Sequence, residues 1–217
     1  AGFSLIELVV VIVIAGILAA IAAPGWIQFL NQRRVNSVND AVLRAIRDAK
    51  SEAQNSKRNY SVSVRYFDGL PQVIVHPDED IDPNEPNNPT NNPTDRYWAN
   101  NNLTSGLGLR ANQVLLQTNL DGKNSITGNP INPNATIPGT PAQGRTLATL
   151  TFDHTGTLAE INGLEPEIPV AFFTSMPRDQ AASNLERLER STRCVVIQTL
   201  IGSTITRSSE AECNSLL

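Results

Sequence analysis

Hydrophobic and polar positions divide this chain into three regimes. From Leu8 to Ala23 every residue is apolar, alanine or glycine, and from Phe3 to Phe29 the strongly polar side chains are Ser4, Glu7 and Gln28. At 1.5 Å rise per residue, about 20 such residues cross the roughly 30 Å hydrocarbon core of a bilayer. The second regime follows Pro24. Val35, Val38, Val42, Ile46, Ala49 and Ala53 recur at spacings of three and four, which predicts a helix with one apolar face. Together these predict one long helix from about Ser4 to Ser56. It is apolar all round in its first half, residues 3–30, and one-faced in its second, residues 31–58. Pro24 lacks a backbone donor and Gly16 is flexible, so a kink or loosening is expected near both.

The third regime starts at Asn59, where the period changes to two. Tyr60, Val62, Val64 and Tyr66 alternate with Ser61, Ser63, Arg65 and Phe67, the pattern of a half-buried strand. Asp68-Gly69-Leu70-Pro71 reads as a turn into a second strand from Gln72 to His76. Further strands are predicted at Val114–Gln117, Leu147–Phe152 and Val170–Thr174. Thr151 to Leu158 reads as strand, tight turn and strand. A short helix is expected from Gln180 to Arg190, and a closing hairpin from Cys194 to Arg207. The fold class is α+β, a long kinked N-terminal helix packed on an antiparallel β-sheet, with the globular part at 59–217.

Composition adds two loop tracts. Residues 77–96 carry five prolines, a run of acids and the repeat Asn87-Asn88-Pro89-Thr90, Asn91-Asn92-Pro93-Thr94. Residues 121–145 are also rich in proline and asparagine. Neither has the apolar content to build a core. The acids Asp78, Glu79, Asp80 and Asp82 raise the question of calcium, but they lack the glycine and distal glutamate of a helix-loop-helix calcium loop. A net charge of -4 gives no bulk reason to expect nucleic acid as a partner. Arg33, Arg34, Arg44 and Arg47 on the amphipathic half read as a solvated face with helical pairs such as Asp40 with Arg44, the alternative being that Arg33 and Arg34, just past the membrane-length segment, meet lipid head groups or acidic neighbours.

Glu7 stands out, because a carboxylate near an apolar helix costs about 2.5–3.5 kcal/mol at a bilayer centre. Ser4 and Glu7 have the spacing of a capping box, which places the negative charge at the positive helix end. A secretory signal ending at Ala20-Ile21-Ala22 is the competing reading. Glu7 interrupting its apolar core and the absence of basic leader residues argue against it.

Gly2-Phe3-Ser4-Leu5-Ile6-Glu7 followed by an aliphatic run resembles the N-terminus of type IV pilins and of type II secretion pseudopilins. The resemblance implies that a prepilin peptidase and methyltransferase cuts between Gly2 and Phe3 and methylates Phe3, which leaves residues 1–2 as leader remnant. It also implies that Glu7 pairs with the N-terminal amine of a neighbouring subunit. Gly16 and Pro24 fall where that family loosens its helix. The expected partners are other pilin subunits, as a homo- or hetero-oligomer, and the inner membrane before assembly. The expected location is then an extracellular pilus or periplasmic pseudopilus. Leu150-Thr151-Phe152-Asp153 with Gly156, then Arg193-Cys194-Val195-Val196-Ile197 with Gly202, resembles the GspH/FimT minor pseudopilins. Some of those bind DNA through a basic C-terminal segment, but here Glu210 and Glu212 follow Arg207.

Cys194 and Cys213 in an exported chain point to a disulfide, the alternative being two free thiols. No catalytic constellation, cofactor site or metal site is expected. Asp153 and His154 are strand neighbours without a nucleophile motif, and Gly106-Leu107-Gly108 lacks the context of a phosphate loop. Trp26 reads as an interface anchor and Trp98 as a loop or packing aromatic. Besides a filament subunit, two other readings are open: a membrane-anchored exported binding module that does not polymerise, and an exported enzyme.

Overall fold

The computed structural model describes residues 2, 4–78, 95–120, 124, 126, 148–160, 166–178 and 187–216. Most of the two loop tracts, including Glu79, Asp80 and Asp82, and the first seven residues of the helix expected from Gln180 lie outside this set. The chain forms two compact units, Ala1–Arg33 and Arg34–Leu217.

One helix, α1, runs Leu5–Ser56. It is continuous at Gly16 and at Pro24, so neither residue ends it. α1 stops at Lys57, which takes φ +58 where helix C-termini favour the left-handed conformation. The apolar stripe read from the sequence is the buried stripe: Val35, Val38, Val42, Ile46, Ala49 and Ala53 are fully or almost fully buried.

Two antiparallel sheets follow. The first has the order β2-β1-β4, with β1 Tyr60–Phe67, β2 Leu70–Pro77 and β4 Ala148–Phe152. β1 and β2 form a hairpin in which Phe67 pairs with Leu70. Asp68 and Gly69 between them take φ +51 and +72, the two positive values a tight two-residue hairpin turn requires. The second sheet has the order β3-β5-β6-β7, made of Leu115–Thr118, Val170–Ser175, Arg193–Ile197 and Thr204–Arg207. A short helix α2, Asp95–Asn101, precedes β3, and α3, Glu210–Asn214, ends the fold.

α1 packs on both sheets through one core. Val42, Ile46, Ala49 and Ala53 cluster with Val62, Val64, Leu150 and Phe152 of the first sheet and with Leu116, Phe172, Val195 and Ile197 of the second. The alternation in β1 sends Val62 and Val64 into that core. Ser61 and Ser63 face the other way and are also fully buried, which the half-buried reading did not anticipate. They are satisfied by a hydroxyl ladder: Ser61 Oγ lies 2.8 Å from Thr151 Oγ1, and Ser63 Oγ 3.0 Å from Thr149 Oγ1. Buried hydroxyls persist only with such partners.

The far side of the second sheet carries Ala171, Phe173, Cys194 and Val196, covered by Cys213 and Leu216. A disulfide between Cys194 and Cys213 fastens α3 there. Near it, Arg187 stacks 4.5 Å over the Phe173 ring and meets Glu210 at 3.0 Å. Burial pushes the Arg187 guanidinium below its ordinary range and Glu210 opposes that shift. This corrects the helix expected to reach Arg190. Arg187 forms a β-bridge with Pro177, Leu188 is extended, and only a single 3-10 turn, Glu189–Ser191, follows. Burying the Arg187 guanidinium over Phe173 fixes a backbone that helical spacing alone would not choose.

Candidate functional site

The features that mark function lie in the first unit. Gly2 and Ser4 precede the helix and are exposed, and Phe3 lies outside the described residues. Ser4 caps α1: its Oγ accepts from the Glu7 N–H at 3.3 Å, and its carbonyl accepts from the same N–H at 3.1 Å and from Leu8 N–H at 3.3 Å. This is the serine half of the expected capping box. It sets Glu7 in the first turn, where a carboxylate is favoured by the helix dipole.

Beyond Glu7 the helix offers apolar side chains on every face. Leu5 is 82% exposed, and Ile12, Leu18 and Ile21 are likewise open to their surroundings. A Cβ built on Gly16 meets nothing within 4 Å. The segment is long and apolar enough to cross a membrane, and none of it is buried. Soluble monomers rarely expose a contiguous apolar patch above a few hundred Å², so this surface needs a covering partner. Trp26 and Phe29 close the segment as an exposed aromatic pair with ring centroids 6.0 Å apart.

The other candidates take structural roles. Asp153 accepts from Thr155 N–H and Oγ1 at 2.8 and 2.6 Å and from Thr157 N–H and Oγ1 at 3.0 and 2.9 Å. Partial burial raises its pKa, but these four hydrogen bonds outweigh that and hold it below the ordinary carboxylate value. His154 is exposed beside it, so the pair is a turn rather than an acid-base couple. A Ser-His contact is present elsewhere, with His76 Nε2 2.8 Å from Ser63 Oγ and Nδ1 2.8 Å from the Pro77 carbonyl. Both residues are fully buried, beyond reach of a substrate.

Trp98 is also fully buried and stacks on the Arg65 guanidinium 4.2 Å from its ring centroid, as a packing aromatic should. Asp78 Oδ1 accepts from Ser61 Oγ at 2.9 Å. Among the described residues, no three of His, Cys, Asp and Glu stand together as a metal site. An open polar cleft of about 740 Å³ runs beside α1, lined by Asn36, Asn39, Asp40, Arg193, Arg207 and Glu212. Its two acids and two arginines balance, so it presents no net field to a charged ligand.

A helix long and apolar enough to cross a membrane, preceding a globular α+β unit in the sequence, is the class these features define. Comparison with known proteins narrows it. Residues 1–23 match the prokaryotic N-terminal methylation motif. Over 80 residues the chain is 38% identical to the type IV narrow pilus major component PilA5 of Thermus thermophilus, a stretch covering 36% of this chain and 60% of that protein. The chain thus matches less than two thirds of that relative's length. No solved structure matches the chain. The motif and the relative support the type IV pilin and pseudopilin family, and the helix-plus-antiparallel-sheet layout is consistent with a pilin fold. Neither finding bears on the GspH/FimT likeness.

Proposed function

We propose that this protein is a structural subunit of a type IV pilus or type II secretion pseudopilus, main or minor, that assembles through its N-terminal helix. The observation that carries the reading is the exposed apolar N-terminal part of α1, which bears the methylation motif. Such a helix is soluble in lipid before assembly and against copies of itself afterwards, so one surface serves both states. In this reading the subunit first sits in the inner membrane. A prepilin peptidase hydrolyses the Gly2–Phe3 bond, and the new Phe3 amine is methylated. Glu7, held in the first helical turn by the Ser4 cap, then meets the Phe3 amine of a neighbouring subunit and sets the register. Gly16, with open space around it, and Pro24, without a backbone N–H, give the packed helices freedom to adjust. The globular unit becomes the outer face of the filament.

The test is intact-mass and N-terminal peptide mass spectrometry on material sheared from cell surfaces and on membrane fractions, for wild type and Glu7→Ala. The expected outcome is a chain beginning at methylated Phe3 in the filaments, depleted at least about tenfold in the variant, a loss of some 1.4 kcal/mol or more in assembly. An uncut chain that stays in the membrane whatever occupies position 7 would sink the proposal and leave an anchored, non-polymerising module.

A further inference from the structure

Trp26 and Phe29 stand three residues apart on α1, their rings tilted by 38° and exposed by 64% and 58%. Helical residues three apart share a face, so both rings point the same way. Polar and charged side chains begin around them with Gln28, Asn31, Gln32, Arg33 and Arg34. Moving toward the N-terminus from Trp26, the next charged side chain is Glu7, nineteen residues away. Nothing between them is more polar than alanine or glycine. Along an α-helix that separation is about 28 Å, close to the roughly 30 Å thickness of a bilayer's hydrocarbon core.

We propose that the Trp26–Phe29 pair is a depth gauge. It seats in the lipid headgroup boundary of one leaflet and thereby holds Glu7 at the boundary of the other. The amphipathic indole of Trp26 favours that boundary and resists movement in either direction because one side is wet and the other apolar, and Phe29 adds apolar area on the same face. Lipid is the occupant the geometry favours over a second copy of the chain. Glu7 has a place in the packed helices as well, but packing gives no reason for an aromatic pair to stand one bilayer thickness from it. Between Leu8 and Gly25 no residue marks depth, so besides the pair only the charged ends, Glu7 and Arg33 with Arg34, oppose sliding. The inference rests on the membrane stage of the proposed function and is independent of cleavage and polymerisation.

The experiment uses the full chain in vesicles of phosphatidylethanolamine and phosphatidylglycerol. Comparing wild type with Trp26→Phe isolates the Trp26 emission without disturbing the buried Trp98. Brominated lipids then report depth. The inference expects blue-shifted Trp26 emission, quenched severalfold more by bromines near the glycerol backbone than by bromines near the chain ends. A second measurement reads the opposite end. In a Ser4→Cys background, with the native cysteines paired, a membrane-impermeant maleimide labels position 4. Moving the aromatic mark with Ile21→Trp, Trp26→Leu and Phe29→Leu draws the N-terminus inward and slows that labelling severalfold. Stronger quenching at depth, or labelling indifferent to the mark, overturns the gauge while leaving membrane insertion intact. Emission that responds to protein concentration but not to brominated lipid assigns the pair to a second copy, which also overturns it. A chain that does not float with the vesicles removes both the gauge and the membrane stage.

Discussion

Asn124 does the work of a strand residue from outside any strand. Its side-chain oxygen accepts from Thr151 N–H at 2.7 Å, and its amide donates to the carbonyls of Thr151 and Ala159 at 2.9 and 2.8 Å. It thereby closes the open edge of β4, in a left-handed conformation with φ +52 that asparagine tolerates better than most residues. Asn119 does the same for β5, accepting from Ala171 N–H and donating to the Pro169 carbonyl. Replacing Asn124 with alanine leaves the Thr151 N–H and the Ala159 carbonyl without the partner Asn124 gave them, while the Thr151 carbonyl keeps the Ala159 N–H at 2.9 Å; it should cost about 2–3 kcal/mol, read as a lowered urea midpoint of the detergent-solubilised chain. Asp153 is a residue of the opposite kind, because both its partners follow within four positions and its turn was readable in the sequence. Its folded pKa is depressed, so its stabilising contribution is complete above about pH 5 and fades as pH falls below the unfolded value of about 3.9. Unfolding followed from neutral pH to pH 2 should show Asp153→Asn less stable than wild type at neutrality, with the gap closing in acid. A constant gap would place the effect elsewhere. Asn124, whose partners lie 27 and 35 residues on, carried no such local signal.

At the scale of elements, local periodicity held wherever it coincided with burial. The three-four spacing of Val35 to Ala53 reports a face turned to the core, which α1 follows residue by residue, and the alternation in β1 correctly turns Tyr60, Val62 and Val64 to that core while leaving the burial of Ser61 and Ser63 unread. α2 and α3 went unseen because seven and five residues are too few to show a helical period. α3 is held instead by a Ser209 cap and by the bond from Cys213 to Cys194, nineteen residues away. Closing a loop of that length contributes about 3 kcal/mol in the chain-entropy picture. Cys194→Ser with Cys213→Ser should therefore lower stability by about 2–4 kcal/mol. Hydrogen exchange should show α3 losing protection before β5 and β6, since those strands keep Phe172, Val195 and Ile197 in the main core. Uniform loss across the second sheet would mean that the disulfide supports the sheet rather than the helix.

For the whole molecule, the division at Arg33 and Arg34 makes a simple prediction. The core residues from Val35 onward lie in the second unit, whereas the apolar side chains of the first are exposed. A chain starting at Arg34 should be soluble without detergent and unfold cooperatively, with a thermal midpoint within about 5 °C of the full chain's, a change under about 1 kcal/mol. Aggregation of that fragment, or loss of its cooperative transition, would show that the apolar helix contributes to the globular core.

The functional helix was legible throughout because membrane solubility is a property of consecutive residues: length, apolarity and the placement of Glu7 need no tertiary partner. The same holds for the Ser4 cap, which spans three residues. The number of sheets, the order β3-β5-β6-β7, the hydroxyl ladder behind β1 and the extended path of Arg187 depend on groups far apart in the chain. Those features were decided by which buried polar atoms had to find partners once the core had formed, a condition that no local pattern records.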